Sequence, residues 1–262
     1  VRSNDGPLTT AIRKTVAALD KAKTRRETGV FKAEGTKCVL DTADAFGSVA
    51  VYATAAWIDE HARQLPPQAQ RALQKVTHAD LERMTSLSTP PEVIALYRLP
   101  DADRRPAEGD ERLILALDAI QDPGNMGTII RTADWFGIRR ILCSADTADC
   151  FAPKVVQATM GAIGRVSVEY VPDLALCLQD YASKGMAIYG TFLNGDNLYA
   201  ADLRAGGVIV IGNEGHGISP EVEKKVTHRI TIPNFGACKG ESLNAAIAAA
   251  ITVSEFQRQQ HG

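Results

Sequence analysis

The chain has 262 residues, 45% of them hydrophobic, enough for one large core or two ordinary ones. No run approaches the roughly 18 consecutive apolar residues of a membrane-spanning helix, and "VRSNDGPLTT" lacks the apolar core of a secretory signal, so the expected compartment is the cytoplasm, with no membrane partner. The formal net charge of −2 argues against a protein that coats nucleic acid through bulk positive charge, and five scattered cysteines without a C-x-x-C pair indicate neither a disulfide framework nor a metal site.

Charge is unevenly placed. Residues 1–108 carry 16 Lys/Arg against 14 Asp/Glu, whereas residues 109–262 carry 13 against 17. Arg13, Lys14, Lys21, Lys23, Arg25 and Arg26 fall within fourteen residues opposed only by Asp20, which makes a local basic face. Such a face is either the solvated side of a helix or a surface for phosphate. The apolar period from Leu8 to Arg26 predicts one helix stopping at Gly29. Strands are predicted at 30–34, 48–54 and 92–99, giving a small α/β domain over residues 1–108. The polar segment "LPDADRRPAEGDE", residues 99–111, reads as a linker.

Residues 109–262 form the second predicted domain. Apolar runs at 113–120, 140–144, 166–171, 186–193, 208–213 and 229–233 alternate with helical stretches, which predicts a parallel sheet covered on both faces. Ligands of open α/β sheets bind beyond the carboxyl ends of the strands, so the following turns are where chemistry belongs.

Three turns carry it. In "AIQDPGNMGTIIRTADWFG", residues 119–137, Pro123 and Gly124 break the strand, Asn125 is the expected cap of the next helix and Gly137 its end. Arg131, four residues after Gly127, either faces a substrate or pairs with Asp134 on a wet surface. In "VIVIGNEGHGIS", residues 208–219, Glu214 occupies the place of the second glycine of a dinucleotide fingerprint, and its charge would repel a pyrophosphate; no P-loop occurs. Ser219, Pro220 and Glu221 start a helix. In "IPNFGACKGESLNAAIAAAI", residues 232–251, Pro233 closes a strand and Ser242 is the expected cap of an alanine-rich helix.

In order, N-x-G-x-x-x-R, G-N-E-G-x-G and I-P followed by S-L-N-x-x-x-A closely resemble the three motifs of the SpoU (TrmH-like) RNA 2′-O-ribose methyltransferases of the SPOUT superfamily, over residues 112–258. "KTRRETGVFKAEG", residues 23–35, is similar to the substrate-binding domain, itself like a ribosomal protein, that precedes many members acting on ribosomal RNA. The resemblance implies a deep trefoil knot at the chain end, a homodimer, no metal, and S-adenosylmethionine as cofactor. It implies cofactor contacts from Thr191, Gly212, Ile232, Ser242 and Leu243, with Arg131 at the reacting ribose. Asn125 would hold the Arg131 loop, Ser242 and Asn244 would shape the other side, and Glu214 would either fix loop backbone or touch substrate. The loop 234–241, about two residues longer than in many relatives, carries Cys238 and Lys239, and no histidine shares its motif to activate that thiol.

A guanidinium has a pKa of ~12 or higher, so Arg131 is expected to orient the ribose and balance charge on its oxygen; loss of its proton on RNA docking is the alternative. The implied substrate is 23S ribosomal RNA, against transfer RNA, a catalytically silent RNA-binding protein, or a dinucleotide enzyme that the glycine order disfavours.

Overall fold

The computed structural model describes residues 8–100, 112–236 and 242–262. The predicted linker from 101 onward, and Cys238 and Lys239, lie outside the described residues. The chain divides into two compact units: Val1–Arg104 with Asp149–Arg165, and Arg105–Ala148 with Val166–Gly262.

The first unit opens with α1 (Thr10–Ala18) and α2 (Ala22–Thr28). The sequence predicts one helix here, and the structure has two. Leu19 packs fully buried beside Val16, and the carbonyls of Leu19 and Asp20 freed by the break accept hydrogen bonds from Arg25 Nη1 at 2.6 and 3.0 Å. A buried terminus needs partners for its carbonyls, and Arg25 supplies them. As expected, α2 ends at Gly29, whose φ of 68° suits a residue without Cβ.

Then follow β1 (Val30–Glu34), α3 (Thr36–Thr42), β2 (Ser48–Ala53), α4 (Ala55–His61), α5 (Pro67–Arg71), β3 (Leu73–Lys75), α6 (His78–Glu82) and β4 (Val93–Arg98). The sheet order is β1-β4-β2-β3, antiparallel except for the β2–β3 pair. The reading of the sequence missed β3 and the short helices, which are too brief to display a period. Every residue of β1 is buried, Lys32 included. Its ammonium is neutralised by Asp20 at 2.8 Å and Glu34 at 3.0 Å and donates to the Met84 carbonyl at 3.0 Å. An unpaired charge there would cost several kcal/mol.

The second unit begins with β5 (Leu113–Leu117), α7 (Pro123–Trp135) and β6 (Arg140–Cys143). The chain next contributes α8 (Pro153–Thr159) to the first unit. There Phe151 packs 4.8 Å from Phe31 and 6.0 Å from Phe46, ring centre to ring centre, and completes an aromatic cluster with Tyr97. Gly161 lies so close to α3 that a Cβ would sit 2.3 Å from that of Asp41.

The second unit resumes with β7 (Ser167–Tyr170), α9 (Leu174–Ser183), β8 (Ile188–Asn197), β9 (Gly207–Ile211), α10 (Pro220–Glu223), β10 (His228–Thr231) and α11 (Ala245–His261). Its six strands run in the order β10-β8-β9-β5-β6-β7, all parallel. Both β5 and β9 are buried throughout, as predicted for central strands covered on two faces. One face packs Ile114, Val208 and Val210 against Leu174 and Leu178 of α9 and Val222 of α10. On α11, Ala245, Ala246 and Ala249 are buried, and this helix packs on α7 and β9. The small side chains permit that close approach. No described helix is long and apolar enough to cross a membrane.

Candidate active site

The parallel sheet brings the carboxyl ends of its central strands side by side. Leu117 of β5 pairs with Ile211 of β9, and Gly190 of β8 pairs with Val210. The turns leaving β5 and β9 therefore start as neighbours.

Both ends of the 212–219 turn are fastened to the end of β5. Asn213 Nδ2 donates to the Ala119 carbonyl at 2.7 Å, while its Oδ1 accepts from the backbone N–H of Gly215 at 2.8 Å and of His216 at 3.1 Å. At the other end, the Ser219 N–H donates to Asp118 Oδ2 at 2.7 Å. Between them Asn213 and Gly217 exchange backbone hydrogen bonds at 2.9 Å, closing a tight hairpin. Gly212 is required by packing: a Cβ there would come 2.4 Å from the Gly217 carbonyl carbon and Ile218 nitrogen.

The hairpin presents Glu214 to the α7 turn. Asn125 Nδ2 donates to Glu214 Oε1 at 2.6 Å, and Asn125 Oδ1 accepts from Asn244 Nδ2 at 2.9 Å. Asn244 Oδ1 in turn accepts from the backbone N–H groups of Ala246 at 3.0 Å and Ile247 at 3.2 Å. One chain of side-chain hydrogen bonds thus joins all three turns singled out in the sequence. With its oxygen and nitrogen both engaged, the buried Asn125 amide has a single orientation.

Two capping assignments are corrected. Asn125 does not cap α7; Asp122 does, accepting from the Asn125 N–H at 2.8 Å, and Asn125 lies inside the first turn with its side chain turned to Glu214. Ser242 does not cap α11; that role belongs to Asn244, and Ser242 is exposed two residues earlier. In each case a competing short polar side chain reaches the free N–H groups. Gly137, φ 75°, follows the end of α7 as expected.

Arg131 is exposed on α7, and among the described residues its guanidinium has no hydrogen bond or ion pair. The alternative partner, Asp134, instead lies 3.5 Å from Arg139. Thr191 does not end its strand: it lies within β8, directly after Gly190, the last residue of β8 to pair with β9, and its hydroxyl donates to the Val210 carbonyl at 3.0 Å. Ile232 directly follows β10, and Leu243, 48% exposed, precedes the Asn244 cap. Beyond Thr191 strand β8 bulges: successive residues Arg229 and Ile230 of β10 pair with Gly190 and Asp196.

The basic face expected from Arg13 to Arg26 needs a correction. Arg25 is only 2% exposed; besides the two carbonyls above, its Nη2 lies 2.5 Å from Asp149 Oδ2. That guanidinium holds the first unit together and is not offered to phosphate. Arg13 is paired with Asp80 at 2.6 Å, whereas Lys14, Lys21, Lys23 and Arg26 are exposed. Sequence reasoning missed Asp118, Asp122 and Asn213. Asp122 before Pro123 is a cap-then-proline signal; nothing in the sequence marks Asp118.

Residues 112–254 match the SpoU rRNA Methylase family, and residues 12–95 match the MRM3-like substrate binding domain. A putative RNA methyltransferase of the TrmH family from Porphyromonas gingivalis is 38% identical and superposes with a TM-score of 0.86, covering 97% of this chain and 99% of the other. The SpoU methyltransferase AviRb of Streptomyces viridochromogenes, solved with AdoMet, is 25% identical with a TM-score of 0.82, covering 96% and 98%. The 23S rRNA (guanosine(2553)-2′-O)-methyltransferase RlmP of Bacillus subtilis is 29% identical over 90% of this chain and 91% of its own length. Motif order, the single hydrogen-bonded chain that joins the motifs and the family match agree: the chain belongs to the SpoU rRNA Methylase family.

Proposed function

We propose that the protein transfers a methyl group from S-adenosylmethionine to a ribose 2′-hydroxyl of RNA, with 23S ribosomal RNA as the substrate. The observation that carries this reading is the Glu214–Asn125–Asn244 chain, which fixes three turns beside one another at the carboxyl end of a parallel sheet.

The residues present fit a cationic methyl donor. Gly212 and Ile232 directly follow β9 and β10, Thr191 lies in β8 between those strands, and all three offer backbone groups; Leu243 offers an apolar side chain, and exposed Ser242 offers a hydroxyl. The 212–219 turn contains a carboxylate and no Lys or Arg, which suits a sulfonium and not a polyphosphate. When bound, S-adenosylmethionine supplies an electrophilic methyl group already activated by its sulfonium. Arg131 then orients the ribose or a flanking phosphate and balances negative charge growing on the attacking oxygen. The alternative, in which Arg131 loses its proton as RNA docks, works against the basicity of a guanidinium. Glu214 serves chiefly to lock Asn125, and Asn244 closes the other side of the site.

RNA binds the first unit through exposed Lys14, Lys21, Lys23 and Arg26, with Arg13 adding charge behind its pairing to Asp80. These groups position RNA without naming a sequence. The protein works as a homodimer: Trp135 at the end of α7 is 84% exposed, and Ile247 on the adjacent α11 is 52% exposed, leaving apolar surface for a partner copy. The chain end is threaded as a knot, a reading supported by the packing of α11 on α7 and by β9 lying between β8 and β5. The reaction needs no metal, and the enzyme works in the cytoplasm.

The test is incubation of the protein and methyl-labelled S-adenosylmethionine with total RNA from a matching cell that lacks the gene, followed by mapping of the modified nucleotide. Label on a 23S ribose oxygen is the expected result. Cofactor binding without label in any RNA would leave a silent RNA-binding protein; label on a base would remove the ribose reading.

A further inference from the structure

We propose that Asp118 is a positioning residue for methyl transfer, one that holds the Glu214-bearing hairpin in its binding conformation by accepting the Ser219 N–H. The inference rests on the cofactor reading above and extends it to a residue outside the three motifs.

Asp118 directly follows β5 and is 5% exposed. Its own N–H continues the sheet by donating to the Ile211 carbonyl at 2.9 Å, so its backbone is fixed by the ladder. Its carboxylate reaches the last residue of the 212–219 turn, and the 2.7 Å approach of the Ser219 N–H is a charge-assisted hydrogen bond. The next residue, Ala119, holds the other end of the same hairpin through its carbonyl. Ala119 adopts φ 56°, a conformation that costs a non-glycine residue free energy, and its N–H is held by Ser144 Oγ at 2.8 Å. Two successive residues of one strand end therefore grip residues 213 and 219. A hairpin tied at one end only would swing about the Gly212 side, and Glu214 would lose its fixed place opposite Asn125. A carboxylate buried at this point is otherwise a burden to folding, since an apolar residue would suit the end of a central strand better.

The role predicts a specific pattern in the full-length protein. In Asp118→Ala the N–H of Ser219 loses its acceptor; in Asp118→Asn an amide oxygen replaces it. Binding of S-adenosylmethionine by titration calorimetry is expected to weaken at least tenfold in Asp118→Ala and to recover to within about threefold of wild type in Asp118→Asn. Steady-state kinetics would show a raised KM for the cofactor and an unchanged KM for RNA. A purely structural part would lower the melting temperature and the active fraction while leaving the cofactor constants of the folded protein alone. Should Asp118→Ala unfold, Asp118→Leu, which removes the acceptor but keeps the branched shape of the buried side chain, takes its place in the same comparison. Wild-type cofactor affinity in Asp118→Ala overturns the proposal, because the acceptor is then dispensable. Two folded variants that are equally weakened overturn it as well, because restoring the acceptor then restores nothing. Failure of the wild-type protein itself to bind the cofactor would instead overturn the parent reading.

Discussion

Asn125 and Glu214 lie 89 residues apart in the chain and 2.6 Å apart in space, amide nitrogen to carboxylate oxygen. Neither side chain can be oriented by its own turn. Each is fixed by the other, with Asn244 completing the set, so the candidate site is a property of the assembled sheet and not of any single loop.

Replacing Asn125 by Asp exchanges the donating amide for a second carboxylate facing Glu214. Like charges at this separation repel, and the Asn244 hydrogen bond alone cannot hold the turn. Methyl transfer is expected to fall by at least about a hundredfold, with a stability loss on the order of 1–3 kcal/mol read from denaturant unfolding. Near-normal activity would show that this hydrogen bond does not organise the site.

Arg131→Ala removes an exposed side chain that has no partner among the described residues, so stability should change by less than about 0.5 kcal/mol. Transfer should be abolished while calorimetry still finds nearly normal S-adenosylmethionine affinity. An active Arg131→Ala protein would take Arg131 out of the mechanism.

Within the basic stretch, Lys21, Lys23 and Arg26 should behave unlike Arg25. Alanine at the three exposed positions is expected to weaken RNA binding and flatten its salt dependence by about one unit of slope for each phosphate no longer neutralised, with the melting temperature unchanged. Arg25→Ala, which strands two carbonyls and Asp149, should destabilise the first unit by on the order of 2–3 kcal/mol, discounted for the partial exposure of Asp149. Salt-dependent binding curves alongside thermal melts separate the two classes.

A fragment ending at residue 104 lacks Phe151, and with it one ring of the cluster formed by Phe31, Phe46 and Tyr97. It is expected to expose that apolar surface, bind a hydrophobic dye and aggregate. In the full chain, Phe151→Ala should cost about 3 kcal/mol. A soluble fragment with a cooperative melt would show that the first unit folds without the segment from the second half.

Acid should loosen the first unit through Asp80. The Thr77 hydroxyl, and after it the Arg13 guanidinium, holds this carboxyl below its ordinary range in the folded state. The folded protein thus binds that proton more weakly than the unfolded chain. The stabilisation is fully present above the ordinary pKa near 4 and is lost as pH falls through the lower folded value. Asp80→Asn should be less stable than wild type at pH 7, with the difference shrinking toward pH 3 in paired thermal melts. A difference that stays constant with pH would assign the effect to capping geometry instead of charge.

The alternation of apolar strands with helical stretches made the parallel sheet legible, because a buried strand must be apolar throughout wherever it sits. The bounds of β1 and the stop of α2 at Gly29 were equally legible, being set by neighbouring residues. Capping was less so: Asn125 and Ser242 are chemically suitable caps, and which of several suitable residues reaches the open N–H groups depends on where the chain enters the helix. Arg25 looked like its neighbours Lys23 and Arg26 because residue type does not reveal which side of a helix meets a core.

The sequence by itself determined the strands of the parallel sheet, the order of the three turns and the set of polar groups they carry, since each follows from the period and the residue types of a short segment. Only the tertiary structure decided that Asn125 bridges Glu214 and Asn244, that Asp118 grips Ser219, and that residues 149–165 belong with the first unit. The reason is physical. Hydrogen bonds and packing between distant segments depend on strand order and register, and those are chosen by the free energy of the whole folded chain rather than by any window of it.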